Sequence, residues 1–373
     1  WYQKKWGTLM MKLSNILLFF ALFFSFTCFV SSCISFSESN LTVFILSFFG
    51  ILLGLRLFVP FFTSFYYDLV IGLATIIFVI SNLYRELPYG SWLLIFSSWL
   101  YSWLAVEKIM QEKFNDNYSS AIRNSVAPIF FGVWIIFIWE VTTVGLNIPV
   151  VLLPSPSEIG IKFVSSLDIL WADFIQTFVK SALIGYFIGS SSGLLIAILI
   201  DRSPFLKRGL LPVGNFVSAL PIVGVAPIMV MWFGFDWHSK AAVVVLMTFF
   251  PMLVNTITGL SITNQIEKDL MKTYGASYSQ TLFFLRLHGA APFIFNALKI
   301  NSTLALIGAI VAEFFGTPIV GVGFRISTEV GRMNLDMVWA EITVAALVGT
   351  ITYGVITFIE KRLTFWHPSI RGN

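Results

Sequence analysis

The sequence predicts an all-α, polytopic membrane protein of about ten transmembrane helices. Three observations carry this. Of 373 residues, 57% are hydrophobic and only 11% are charged, with a mean hydropathy of +0.86; a water-soluble domain needs far more charge to cover its surface. The chain is a succession of apolar runs, each near the roughly 20 residues that a membrane helix requires. Its 39 Phe and 12 Trp suit lipid-facing surfaces and interfacial belts. The net charge of +4 does not point to nucleic acid, because the basic residues sit in short loops between apolar runs.

The runs fall at about 13–36, 41–59, 65–83, 89–106, 125–146, 177–200, 210–232, 241–260, 291–314 and 339–359. Lys4, Lys5 and Lys12 precede the first. Lys108, Lys113 and Arg123 follow the fourth; Arg202, Lys207 and Arg208 the sixth; Lys268, Lys272 and Arg286 the eighth; Lys361, Arg362 and Arg371 the last. With alternating spans these loops share one side, and the other side holds fewer cations: Arg85, Lys162, Lys240, Arg325 and Arg332. The positive-inside rule then puts both termini in the cytoplasm. The charged linker 107–124 separates an accessory membrane region, 1–106, from a core, 125–373. Cys28 and Cys33 both lie in the first run, so no disulfide framework or zinc site of the usual kind follows. Val30-Ser31-Ser32-Cys33 resembles a lipoprotein cleavage site; the simpler reading is a first transmembrane helix with two packed thiols.

Within the core, Gly185, Gly189 and Gly193 repeat every four residues, which lets a second helix approach closely. Pro212, Pro221 and Pro227 share one run and predict a kinked helix there. The most informative stretch is the hairpin 262–289, which reads as two short helices. The first covers about 267–274, Gly275 suits the left-handed residue that ends it, and Ser277 suits the cap of a second helix over about 278–287. Pro292 fits the first turn of the next span. Leu270, Met271, Tyr274, Leu282, Phe283 and Leu285 give the hairpin an apolar side; Glu267, Lys268, Asp269, Lys272 and Arg286 give it a polar one. Such an element docks onto a soluble partner or lies at the membrane interface, and amphipathicity alone does not choose.

Asp269-Leu270-Met271-Lys272-Thr273-Tyr274-Gly275-Ala276-Ser277, continuing to Leu285-Arg286-Leu287-His288 and Pro292, resembles the coupling-loop signature of binding-protein-dependent ABC importer permeases. Asp269, Gly275, Leu285 and Leu287 match that signature; Leu270 and Met271 stand at its two alanines, and His288 at its proline. Further segments are similar, in order, to the nitrate/sulfonate/taurine/bicarbonate subfamily: Trp139-Glu140, Leu153 to Ile159, Trp232-Phe233-Gly234 with Ser239-Lys240, Phe250-Pro251 with Asn255-Thr256, and Ala312 to Gly316 with Gly321 to Phe324. The resemblance spans nearly all of 125–365 and leaves 1–106 unmatched.

It implies a six-helix type I importer core in a bacterial inner membrane; the four N-terminal helices that precede the core are read from the apolar runs alone. It also implies a second permease copy, a periplasmic substrate-binding protein and a cytoplasmic ABC ATPase dimer that grips the hairpin. Asp269, Tyr274, Gly275, Ala276, Ser277 and Leu285 are the expected coupling residues. The chain has no G-x-x-x-x-G-K-[ST] loop, so it is not itself an ATPase; ATP and Mg belong to the partner, and no cofactor is expected on this chain. Lys299, Asn296, Asn301, Ser302 and Thr303 are candidates for the substrate path. Lys299 suits an anion or snorkels to the interface, and the polar residues line the path or bond between helices. Glu140 and Glu313 are expected to stabilise helix ends or partner contacts. The cargo is expected to be a small anionic or vitamin-precursor-like solute. The alternative is an ion-gradient-driven secondary transporter, which needs paired buried acids, and such acids look few. A membrane enzyme needs clustered His, Asp or Glu, and there are only three His.

Overall fold

The computed structural model describes residues 2–34, 38–55, 65–83, 90–111, 117–218, 220–316 and 319–366. Arg85, Lys113, Arg371 and residues 112–116 of the predicted linker lie outside them, and for Lys4, Lys5, Lys12, Arg123 and Lys207 only the backbone is described. The described residues are helical throughout, without a strand. In an apolar solvent a helix satisfies its own backbone, which an open sheet edge cannot do. The chain divides into two compact units, 1–157 and 158–373.

The first unit holds α1 (Tyr2–Ile34), α2 (Glu38–Gly54), α3 (Phe65–Asn82), α4 (Ser91–Gln111) and α5 (Asn117–Gly145), and ends in the first turn of α6 (Pro156–Ser165). Most of the predicted linker is helix, because α4 and α5 extend into it. Phe130, Trp134, Phe137 and Val141 of α5 pack with Phe78, Val79, Leu94 and Ile95 of α3 and α4. Buried polar groups are matched between helices: the Tyr101 hydroxyl donates to Gly50 O at 2.6 Å, Thr75 and Ser98 share a 2.6 Å bond, and Lys108 reaches buried Asp68 at 3.4 Å. Glu140 accepts from the Ser157 N–H (2.9 Å) and hydroxyl (2.7 Å) at the start of α6. A carboxylate at a helix N-terminus is favoured by the orphan N–H groups and the helix dipole.

The second unit continues with α7 (Leu167–Phe174), which runs through a π-helical stretch, Ile175–Leu183, into α8 (Ile184–Asp201). Then come α9 (Pro204–Ser218), α10 (Ile222–Phe233), α11 (Trp237–Ser261), α12 (Gln265–Thr273) and α13 (Tyr278–Thr281). A second π stretch, Leu282–Arg286, joins α13 to α14 (Leu287–Glu313), and α15 (Val322–Gly331) and α16 (Leu335–Leu363) complete the unit. Among the described residues of the whole chain, seven helical segments are long and apolar enough to cross a membrane, and 41–54, 66–82 and 222–233 are shorter apolar helices.

Two expectations are corrected. The apolar run 210–232 is not one kinked helix: it breaks into α9 and α10 at Pro221, which is extended (φ −69°, ψ 123°). A proline has no N–H to give and biases its predecessor away from helix, so the chain stops there. The ninth span, in turn, does not begin near Pro292. It is continuous with the hairpin from Tyr278, since the π stretch carries the chain through without a break, and Pro292 lies inside the helix.

α8, α11 and α14 form the centre of the unit. The expected close approach at the glycine repeat is present: a Cβ on Gly185 would meet Val244, one on Gly189 would meet the Thr248 hydroxyl and lie 2.7 Å from Val245 O, and one on Gly193 would lie 2.5 Å from Phe249 O. Behind that contact the buried Asn301 of α14 donates to Ser190 Oγ (3.0 Å) on α8 and Thr248 O (2.7 Å) on α11, tying the three together.

The far end of α14 carries a polar cluster that the sequence undercounts. Asp173, Glu313, Glu329 and Glu341 are all buried. Three of the acceptors close the N-terminus of α15: Asp173 accepts from Gly321 N (2.6 Å), Thr177 Oγ1 from Val322 N (2.8 Å) and Glu313 from Gly323 N (2.7 Å). Thr177 donates in turn to Glu313 at 2.8 Å, and Arg325 Nε pairs with Asp173 at 2.8 Å. Asp173 and Glu313 thereby satisfy a buried helix start, whereas Glu329 accepts from Arg332 (3.0 Å) and Asn334 (2.8 Å) at the other end of α15. Glu341 differs, with neither oxygen bonded to a donor among the described residues.

Two variants test this packing. Gly189→Val should cost about 1–3 kcal/mol by overpacking the α8–α11 contact, read as a lower melting temperature in detergent, whereas Gly160→Ala, inside α6 and with nothing within 4 Å of its Cβ, should not lower it. Asp173→Ala strands the Arg325 guanidinium and the Gly321 N–H and should cost on the order of 3 kcal/mol in the same assay.

Candidate functional site

The hairpin between α11 and α14 is built by local rules. Asn264 and Glu267 form a reciprocal capping box at the start of α12, with Asn264 N donating to Glu267 Oε2 at 3.2 Å. Asp269 is exposed and accepts from Gln265 (3.0 Å) and Lys272 (3.4 Å) on the same helix. At the other end Gly275 has φ +72°; its N–H donates to Lys272 O (2.9 Å) and that of Ala276 to Met271 O (3.0 Å). This pair of bonds is a Schellman closure, and the left-handed residue in it is the glycine that the sequence places there. Ser277 then caps α13: Gln280 N donates to its hydroxyl at 3.3 Å while Ser277 N donates to Gln280 Oε1 at 2.8 Å.

No residue of α12 or α13 is buried. Ile266, Leu270 and Tyr274, spaced at i, i+4 and i+8, are 84%, 56% and 81% exposed, so one apolar stripe of the hairpin is uncovered. Phe283 and Phe284 extend the exposed apolar surface onto the return helix. Of the sequence-predicted residues, Asp269, Tyr274, Gly275 and Ser277 are exposed, and Ala276 and Leu285 are half-buried. Ile266 escapes the sequence reading because it lies just before the matched motif. Asp201 and Arg286 also escape it as a pair: Arg286 at the hairpin's root binds Asp201 at the end of α8 through two bonds of 2.6 and 2.9 Å. A readable signal existed, because an acid at the C-terminal end of an apolar helix opposes the helix dipole unless a cation meets it.

The candidate path residues separate on α14. Asn296, Ile300, Thr303 and Ile307 are exposed along one face, at spacings of four, three and four. Asn301 and Ser302 face the other way and are buried, Asn301 in the bonds to α8 and α11 and Ser302 donating to Lys299 O at 2.7 Å. The Lys299 ammonium is paired with Glu360 of α16 at 2.9 Å, so its charge is met inside the unit. Among the described residues no group of three or more His, Cys, Asp or Glu could hold a metal ion.

Residues 185–365 match the family model described as the binding-protein-dependent transport system inner membrane component. The chain is 30% identical to the formylaminopyrimidine transport permease protein ThiX of Halalkalibacterium halodurans, over 65% of this chain and 96% of that protein. It is 27% identical to the riboflavin transport system permease protein RibX of Chloroflexus aurantiacus, over 65% and 90% of the two chains. It is 25% identical to the taurine transport system permease protein TauC of Escherichia coli, over 62% and 86%. With this coverage, the all-helical fold and seven membrane-length segments, the chain belongs to the binding-protein-dependent transport system inner membrane components, the non-enzymatic, multi-pass permease components of ABC transporters.

Proposed function

We propose that this permease forms the translocation path for a small solute and is driven by a separate ATPase that grips the hairpin around Gly275. The observation that carries the reading is the uncovered stripe Ile266, Leu270 and Tyr274 on a hairpin whose α12 and α13 have no buried residue and are held in shape by their own caps. A folded apolar patch outside the membrane-length helices calls for a partner. Tyr274, Gly275, Ala276 and Ser277 form its tip, with Asp269 and Leu285 on the flanking helices. The ATPase supplies ATP and Mg, and this chain binds no cofactor. A second permease copy, a periplasmic binding protein and the surrounding lipid complete the assembly. The charge distribution supports cytoplasmic placement of the hairpin and both termini in a bacterial inner membrane. The relatives match only about two-thirds of this chain, which supports reading 1–106 as an accessory region, 107–124 as a linker and 125–373 as the transport core.

For the path, the exposed face of α14 offers the Asn296 amide and the Thr303 hydroxyl between apolar residues. Lys299 is paired with Glu360, and Asn301 and Ser302 are engaged in packing. A face with hydrogen-bonding groups and no unmet charge suits the neutral, vitamin-precursor-like cargo better than an anion, and ThiX is named for transport of formylaminopyrimidine. An ion-gradient-driven secondary transporter is the second reading. It is favoured by the buried Glu341, and uptake that persists without ATP hydrolysis would select it.

Two measurements test the proposal. A valine at φ +72° is strained by at least about 1–2 kcal/mol, enough for a roughly tenfold loss. Gly275→Val should therefore insert normally but retain little ATPase subunit on purification, whereas Gly275→Asn, which tolerates the left-handed region, should retain it. The cognate binding protein should be thermally stabilised by formylaminopyrimidine and not by taurine or bicarbonate; the reverse pattern would reassign the cargo.

A further inference from the structure

No residue of α12 or α13 is buried, so force applied at the hairpin's tip enters the membrane helices through its root. At that root the main polar link is one guanidinium. Arg286 donates from Nη1 and Nη2 to the two oxygens of Asp201 at 2.6 and 2.9 Å, and from Nε and Nη2 to Leu260 O at 3.2 and 2.8 Å. Asp201 is the last residue of α8 and Leu260 the penultimate residue of α11. Leu260 O is one of the C-terminal carbonyls that no residue of its own helix can satisfy. Arg286 meets that carbonyl and neutralises an acid that opposes the α8 dipole. The side chains of Arg286 and Asp201 are 13% and 3% exposed, so neither charge can turn to water when the other leaves. The return helix adds to the joint: Tyr278 Oη lies 3.4 Å from Asp201 Oδ2, Arg202 stacks over the Tyr278 ring at 5.5 Å, and Leu282 packs against Leu260.

We propose that Arg286 is a positioning residue that passes motion of the hairpin to α8 and α11 together, by clamping the C-terminal ends of both helices to the start of α14. The inference rests on the coupling role proposed above for the hairpin. A planar fork held by two acceptors on two helices resists relative rotation, which a lysine ammonium would permit. Because α8 and α11 also meet along the glycine repeat, a displacement entering at both ends moves them as a pair. Removing the fork should leave the docking tip intact and disconnect it from the core.

The test is hydrogen–deuterium exchange on the full chain in lipid nanodiscs with the ATPase subunit that copurifies with it, before and after adding a non-hydrolysable ATP analogue. In the native complex the analogue should change exchange in 265–287 and also in α8 and α11. In Arg286→Gln the ATPase subunit should still copurify and the change in the hairpin should persist, while the change in α8 and α11 is lost. The charge-swapped pair Asp201→Arg with Arg286→Asp should restore the response of α8 and not that of α11, because an aspartate at 286 cannot donate to Leu260 O; this separates a broken joint from a damaged fold. A response in α8 and α11 of Arg286→Gln equal to the native one overturns the joint and leaves the coupling role standing. Loss of the ATPase subunit or of the hairpin's own response in Arg286→Gln also overturns it, because Arg286 would then shape the docking surface; failure of the charge swap to restore any response counts against it too. No nucleotide response in the native hairpin would remove the coupling role itself.

Discussion

Backbone polar groups that have no water to meet are the constraint on which the second unit depends. Helices solve it along their length and leave it unsolved at their ends. At one end of α14 the start of α15 is closed by Asp173, Thr177 and Glu313; at the other, about 40 Å away along 27 residues at 1.5 Å each, Arg286 caps Leu260 O at the end of α11 and pairs with Asp201 at the end of α8. Both sets of charges are buried, and both are explained by the helix termini they serve. Between them the centre is held by small residues: the glycine face of α8 admits α11, and Asn301 crosses from α14 to both. The bundle is thus tight in the middle and polar at its two ends, which suits a body that moves in rigid pieces.

The hairpin obeys the opposite rule. It makes its own caps at Asn264 and Ser277 and its own turn at Gly275, so its shape does not require burial. Beside polar side chains such as Asp269 and Lys272 it leaves the apolar stripe Ile266, Leu270 and Tyr274 uncovered. On the proposal above that stripe is where the partner docks, and the family to which the chain belongs operates as part of a transport system.

Features governed by short-range chemistry were legible in the sequence. The apolar runs gave the fold class, the glycine repeat the α8–α11 approach, and Gly275 with Ser277 the turn and cap of the hairpin. Features governed by long-range pairing were not. Asp173 lies 152 residues from Arg325 and Asp201 lies 85 from Arg286, and nothing local to either acid shows what it meets. The break at Pro221 is hidden for a related reason: three prolines in one apolar run announce a disturbance without saying which one ends the helix. Which of the polar candidates Asn296, Asn301, Ser302 and Thr303 face outward is not legible without the fold, because a one-residue step along a helix turns a side chain by about 100°.

Photo-crosslinking from the hairpin tip tests the central claim most directly. A photoreactive amino acid placed at Tyr274 in the intact transporter should give an adduct with the ATPase subunit, weakened on release of nucleotide. Adducts confined to lipid, or to other segments of this chain, would contradict the account.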